Sequence, residues 1–150
     1  LRAFGARQIT VAEPNALRRA QISKIDGFDA IDPADANMAD LVIDGVGYAA
    51  TRAAASAQTN PGGVIMHIGL GQGTGGLDIR RMTLQEISFI GTYTYTAQDF
   101  RDTAAAIFDG RLGALDWTEK RPLSQGQQAF DDIRAGRVAA PKIILEPADV

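Results

Sequence analysis

Apolar residues along this chain come in short clusters without alternation, each closed by glycine, proline or a carboxylate and followed by a stretch with helical spacing. Such runs predict strands buried on both faces of a parallel sheet, because a sheet covered on one side alternates. The first cluster is Gln8–Glu13 in QITVAEP; ahead of it, Leu1–Phe4 with Gly5 reads as the last turn of a helix. Pro14 suits the first turn of a helix over Asn15–Lys24, where a missing N–H is not needed, and Gly27 closes that segment. A short strand Ala30–Asp32 runs into Pro33, and the seven residues Pro33–Ala39 are too few for a full crossover helix.

The run Leu41–Ile43 enters Asp44-Gly45-Val46-Gly47 and then an alanine-rich helix over Tyr48–Gln58, a composition that suits close packing on a sheet. Asn60-Pro61-Gly62-Gly63 reads as a turn and Val64–Gly69 as the next buried strand. After the glycine-dense loop Leu70–Leu77 and one helical turn at Thr83–Glu86, Ser88–Thr94 alternates, which predicts an edge strand. A helix over Ala97–Asp109 carries Phe100, Ala104, Ile107 and Phe108 on one stripe. A last helix, Gln125–Ala135, ends at Gly136, and Lys142–Glu146 closes the pattern as a strand between two prolines. Strands alternating with helices in this order predict an α/β sheet.

Composition narrows the function classes. With 150 residues and 45% hydrophobic content the chain supports one domain or parts of two. A formal charge of −3 without a basic run argues against nucleic acid or an anionic membrane as partner. There is no cysteine, and His67 is the only histidine, so disulfides and thiolate chemistry are excluded within these residues. No apolar run reaches the roughly 18 residues that span a bilayer, and a cytoplasmic protein is the expectation. The sequence starts at Leu1 in what looks like a helix end, which suggests a piece of something longer.

Few residues suggest chemistry. Glu13 stands at the carboxyl end of a parallel strand, where one carboxylate can accept hydrogen bonds from both hydroxyls of a ribose; a solvated acid at a strand end is the plainer alternative. Gly71–Gly76 spells G-x-G-x-x-G, yet no long helix opens at its last glycine and no acid follows at the next strand end, so a flexible loop is the better reading. His67, alone in a buried strand, reads as a core histidine, and Asp99, Asp102, Asp131 and Asp132 read as solvated helix faces. No catalytic constellation is visible. The strand ends select Glu13, the turn Gly45–Gly47 and the exit Ile68–Leu70 as one potential ligand surface.

These residues resemble a known pattern. VAEP with Arg18, DLVIDGVG, GGVIMHIGLG, LQEISFIGTYTYT before DF, and FDDIRAGRVAAPKIILEP look like the second half of a zinc-type medium-chain alcohol dehydrogenase, most like the sorbitol and polyol dehydrogenases. The resemblance implies a Rossmann-type doubly wound parallel sheet, truncated so that its first strand and glycine-rich phosphate loop are absent. It implies a partial NAD-binding domain over residues 1–96 and a segment 97–150 returning to a catalytic domain outside this chain. In the strand order 3-2-1-4-5-6 the absent first strand would lie between the strands at Gln8 and Leu41.

The resemblance also implies site residues. Glu13 matches the position that holds the adenosine ribose, Arg18 the basic position flanking the adenosine, and Gly45 and Val46 the turn along the adenosine and ribose portion. Ile68, Gly69 and Leu70 match the contact to the nicotinamide ribose, and Thr92, Tyr93 and Thr94 the strand whose backbone meets the carboxamide. An acid at residue 13 favours NAD over NADP by repelling a 2′-phosphate. Zinc would belong to the catalytic domain. The expected substrate is a small alcohol or polyol, though Thr94 stands where polyol members commonly carry arginine. The expected partner is a second copy through the edge strand 88–94. A zinc-free quinone oxidoreductase-like reductase and a non-catalytic nucleotide-binding or dimerisation module are the alternatives.

Overall fold

A computed structural model describes residues 1–147, so the last three positions of the expected 97–150 segment lie outside the described residues. The elements in chain order are β1 (Thr10–Ala12), α1 (Ala16–Ile22), β2 (Asp29–Ile31), β3 (Ala39–Asp44), α2 (Ala49–Gln58), β4 (Thr59–His67), α3 (Ile79–Leu84), β5 (Ser88–Gly91), α4 (Ala97–Phe108), β6 (Thr118–Pro122), α5 (Gly126–Arg134) and β7 (Lys142–Glu146). Short 3-10 turns occupy Arg2–Phe4, Pro33–Asp35 and Leu123–Gln125. No helix among the described residues is long and apolar enough to cross a membrane.

The chain folds as two compact units, Asn37–Thr96 and Leu1–Ala36 together with the segment from Ala97 onward. Residues 1–36 group with the C-terminal segment. One bond that ties them there is donated by Asn15 Nδ2 to the Gly136 carbonyl at 2.7 Å.

In the discontinuous unit β1 and β2 run parallel in the register Thr10↔Asp29 to Ala12↔Ile31. Pro14 precedes helix α1 rather than opening it. Asn15 is the cap, its side chain accepting from the amides of Leu17 and Arg18, because an extended Asn can satisfy first-turn donors that proline cannot reach. Strand β6, TEKRP, pairs in parallel with β7 along its whole length. Its charged sequence carries no strand period, and cross-strand partners and ion pairs hold it instead. Arg121 on β6 bridges Glu119 at 2.6 Å and Asp132 of α5 at 2.7 Å. Ile9, Ala106, Ala129 and Val138 are buried in this unit.

The unit Asn37–Thr96 is a three-stranded parallel sheet in the order β3-β4-β5. Ala55 of α2, Ile65 of β4, Met82 of α3 and Ile87 form its core, with Val42 and Leu77 packed against them. The run of alanines works as expected, since small side chains let α2 lie close to the strands. Helix α2 lacks a C-terminal glycine. Arg81 of α3 supplies the missing donors, giving Nε to the Ser56 carbonyl at 2.7 Å and Nη2 to the Thr59 carbonyl at 2.8 Å.

Four sequence expectations change here. The predicted turn Asn60-Pro61-Gly62-Gly63 lies inside β4: Ala39 pairs with Thr59 and Leu41 with Val64, so the extra residues bulge out of the ladder. Helix α3 begins at Ile79, not Thr83, because Asp78 Oδ1 accepts from the Arg81 amide at 2.8 Å and caps it. Strand β6 is additional. Strand β5 stops at Gly91, short of the expected Thr94, and its last bond to β4 is the one from the Thr92 amide to the His67 carbonyl at 2.9 Å.

The parallel pairs agree with the expected Rossmann-type α/β class. Among the described residues β1 pairs only with β2, and β3 only with β4. Each therefore keeps one edge unpaired. Pro33–Ala39 contains a single 3-10 turn and no full helix, as its length requires.

Candidate functional site

At the carboxyl ends of β3 and β4 two turns meet. Asp44, the last residue of β3 and 5% exposed, directs both of its acceptor groups into them. Its Oδ1 accepts from the amides of Val46 at 3.0 Å and Gly47 at 2.9 Å, and its Oδ2 from Thr51 Oγ1 at 3.0 Å. Its backbone carbonyl accepts from the amides of Ile68 and Gly69, each at 3.0 Å. One residue thus ties the turn after β3, the exit of β4 and the start of α2 together.

The turns touch through glycine. A Cβ on Gly69 would be driven into the backbone of Val46 and Gly47, and one on Gly47 into the Gly69 carbonyl. Gly47 also has φ +77°, a conformation side-chain-bearing residues rarely adopt. The chains are stitched further on by bonds from Gly71 N to Val46 O and from Gln72 N to Gly47 O, at 3.0 and 2.9 Å. Above this joint Val46, Ile68 and Leu70 are exposed apolar residues, with Leu70 77% exposed.

A buried arginine holds the loop that follows. Arg52 of α2 is 6% exposed. It donates Nη1 to the carbonyls of Gly47 at 2.7 Å and Gln72 at 2.9 Å, Nη2 to Thr74 at 2.6 Å, and Nε to Gly75 at 2.6 Å. The G-x-G-x-x-G stretch therefore turns several carbonyls inward onto a guanidinium and opens no long helix, in keeping with the sequence reading that set the phosphate loop aside. Beside it lies an open cleft of about 570 Å³, lined in part by His67, Leu70, Leu77, Ile79 and Phe89.

His67 stands at the last position of β4 rather than mid-strand. Its Nε2 lies 3.5 Å from Asp44 Oδ2 without a hydrogen-bond partner, and its ring centroid is 5.4 Å from that of Phe89.

Of the residues named from sequence, Gly45, Val46, Ile68, Gly69 and Leu70 come together at this joint. Thr92 reaches the end of β4 through its amide, while Tyr93 and Thr94 are exposed residues beyond β5. Glu13 and Arg18 belong to the other unit. There Glu13 Oε1 accepts from the Asn15 amide at 2.9 Å, and Arg18 keeps its Nε buried without a partner. The neighbouring Arg19 takes the contacts nearby, donating to the Glu13 carbonyl at 2.7 Å and pairing with Asp32 at 3.2 Å. Sequence reasoning missed Asp44, Thr51 and Arg52. The first had a readable signal, an acid at a strand end followed by two glycines; an arginine inside an alanine-rich helix gives none.

The profile of a family described as zinc-binding dehydrogenase matches residues 1–109. No curated protein matches. Among solved structures, 2R,3R-butanediol dehydrogenase from Bacillus subtilis is similar with a TM-score of 0.80 at 17% identity, over 98% of this chain and 46% of its own. Acetophenone reductase from Geotrichum candidum in complex with NAD gives 0.79 at 18% identity, over 95% of this chain and 42% of its own. L-Idonate 5-dehydrogenase from Escherichia coli gives 0.72 at 15% identity, over 96% and 44%. The chain thus spans less than half the length of these structures, and the likeness at such identities concerns the fold. Matched by the family profile from residue 1 to residue 109 of 150, the chain belongs to the zinc-binding dehydrogenase family.

Proposed function

We propose that the chain is the nucleotide-binding part of an NAD-dependent alcohol or polyol dehydrogenase. The observation that carries this reading is the joint at the ends of β3 and β4, where exposed Val46, Ile68 and Leu70 sit over a glycine-to-glycine contact. Flat backbone with an apolar shelf at the carboxyl ends of adjacent parallel strands is where dinucleotides bind in open α/β sheets. A Cβ at Gly45 would meet nothing within 4 Å, so the space beside this turn is open to a ligand. The neighbour solved with NAD, and neighbours that are alcohol or diol dehydrogenases, support the same cofactor and substrate class.

In this reading Gly45 and Val46 lie along the adenosine portion, Ile68, Gly69 and Leu70 contact the nicotinamide ribose, and the backbone of Thr92, Tyr93 and Thr94 meets the carboxamide. Glu13 accepts from the adenosine ribose and Arg18 flanks it. When bound, the nicotinamide would accept hydride from the alcohol. The residues of this chain do not fit a zinc site: it has no cysteine and one histidine, and no three candidate ligands converge among the described residues. No step through zinc is assigned to them. A second copy is proposed to pair along β5, whose edge exposes Phe89 and Ile90.

Titration with NADH, followed by its fluorescence, tests the reading. The chain is expected to bind NADH, with affinity lowered about tenfold in Glu13→Ala for the loss of charge-assisted bonds. Equal affinity in the variant would remove Glu13 from the cofactor site.

A further inference from the structure

We infer that Arg52 is a positioning residue for the nicotinamide end of the proposed cofactor site; the inference rests on the reading given above. Nothing in the sequence pattern marks Arg52, and no ligand contact is needed to explain it. The geometry gives it one task. Its guanidinium joins the Gly47 carbonyl, in the turn after β3, to the carbonyls of Gln72, Thr74 and Gly75, in the loop that leaves β4. Between those two anchor points stand Gly69 and Leu70, the residues proposed to meet the nicotinamide ribose.

A planar fork with fixed donors is suited to this. Four carbonyls at 2.6–2.9 Å define the plane and position of the guanidinium, and the guanidinium in turn fixes the path of the loop. A lysine at the same place keeps the charge but offers a single nitrogen, so it cannot bridge all four carbonyls at once. Two backbone bonds, from Gly71 N to Val46 O and from Gln72 N to Gly47 O, hold the start of the loop, but beyond them Gly73, Thr74 and Gly75 are exposed, and Gly75 and Gly76 adopt φ of +79° and +94°. Asp44 independently secures the turn after β3, through the amides of Val46 and Gly47, and the first residues of the β4 exit, through the amides of Ile68 and Gly69. Losing the Arg52 fork should therefore loosen the stretch from Leu70 to Gly75, while Gly45, Val46 and Gly69 stay in place.

The test compares two ligands on the full chain. NADH spans both ends of the proposed site, whereas AMP reports only the adenosine end. Arg52→Lys is expected to weaken NADH about tenfold and leave AMP within about twofold of wild type. Hydrogen exchange should show faster amides in 71–77 and unchanged amides in 64–67. A merely structural role would move both ligands together. Arg52→Ala with added ethylguanidine provides a second arm, in which NADH affinity should recover in part. If wild type binds both ligands and Arg52→Lys weakens neither, or weakens both equally, the inference fails and the cofactor reading stands. If wild type binds neither ligand, both fail.

Discussion

The glycine pair at the ends of β3 and β4 can be tested with two alanines that look alike in sequence. Gly45 and Gly69 both lie outside the left-handed region, so alanine brings no backbone strain at either position. They differ in surroundings: a Cβ at Gly45 meets nothing within 4 Å, while a Cβ at Gly69 collides with the backbone of Val46 and Gly47. Backbone cannot rotate out of the way as a side chain can, so the two turns must separate. Forcing extra atoms into a packed contact costs about 1–3 kcal/mol. Separation also weakens at least one of the bonds from Gly69 N to Asp44 O, Gly71 N to Val46 O or Gln72 N to Gly47 O, for about 1 kcal/mol more. Alanine restricts the unfolded chain and returns about 0.4–1 kcal/mol. Gly69→Ala should therefore destabilise by roughly 1–3.5 kcal/mol, and Gly45→Ala should be neutral or stabilising by up to about 1 kcal/mol. Urea unfolding followed by circular dichroism, with exchange of the amides in 41–47 and 64–72 to localise the effect, is the assay. A Gly69→Ala protein as stable as wild type, or a Gly45→Ala protein as damaged as Gly69→Ala, would refute the close-approach argument.

Other predictions concern the core, the charges and the cofactor. Ile65 is fully buried, so Ile65→Ala should cost about 2–5 kcal/mol in urea unfolding; a loss under about 1 kcal/mol would mean that this core is loosely packed. Arg121, Arg137 and Gln128 hydrogen-bond the Asp132 carboxylate and lower its pKa from 3.8 to about 2. Because the folded value lies below the ordinary one, this contribution is present above about pH 4 and lost as the pH falls towards 2. Wild type should consequently lose urea resistance more steeply than Asp132→Asn over that window, and parallel curves would count against the network. If Glu13 faces a ribose, Glu13→Gln should raise the affinity for NADPH relative to NADH at least tenfold by removing the repulsion of a 2′-phosphate; an unchanged ratio would dissociate Glu13 from the choice of cofactor.

How far the sequence was legible varied by element, for physical reasons. Lys142–Glu146 and the alanine-rich α2 were readable because proline borders and small-residue runs are local signals. The bulge in β4 was not, since Asn60-Pro61-Gly62-Gly63 spells a turn and only the ladder on either side of it, with the bonds from Asn60 Nδ2 to Asp40 Oδ1 and from Gly62 N to Gln85 O, both at 2.8 Å, sets it within a strand. Strand β6 was invisible because TEKRP gains its partners from β7 and α5. At the site, the glycines and exposed apolar residues of the two turns could be named from position alone. The network behind them could not, because Asp44, Thr51 and Arg52 act through backbone groups that come together only on folding. His67 reads from sequence as a core histidine, whereas it is half-buried at the end of β4, beside Asp44 and lining the open cleft.

The bulge has a consequence for how this chain tolerates change in length. Upstream of it the ladder pairs Ala39 with Thr59; downstream, Leu41–Asp44 and Val64–His67 run in unbroken register. Residues 60–63 therefore serve as slack, and an insertion or deletion there can be taken up before it reaches the strand ends. One residue gained or lost between 64 and 67 has no such reserve. It would turn Ile65 out of the core and slide His67 off Asp44, reversing every facing beyond it. Within one strand, then, a change in length has somewhere to go at the bulge, and the half that follows it is counted to the residue.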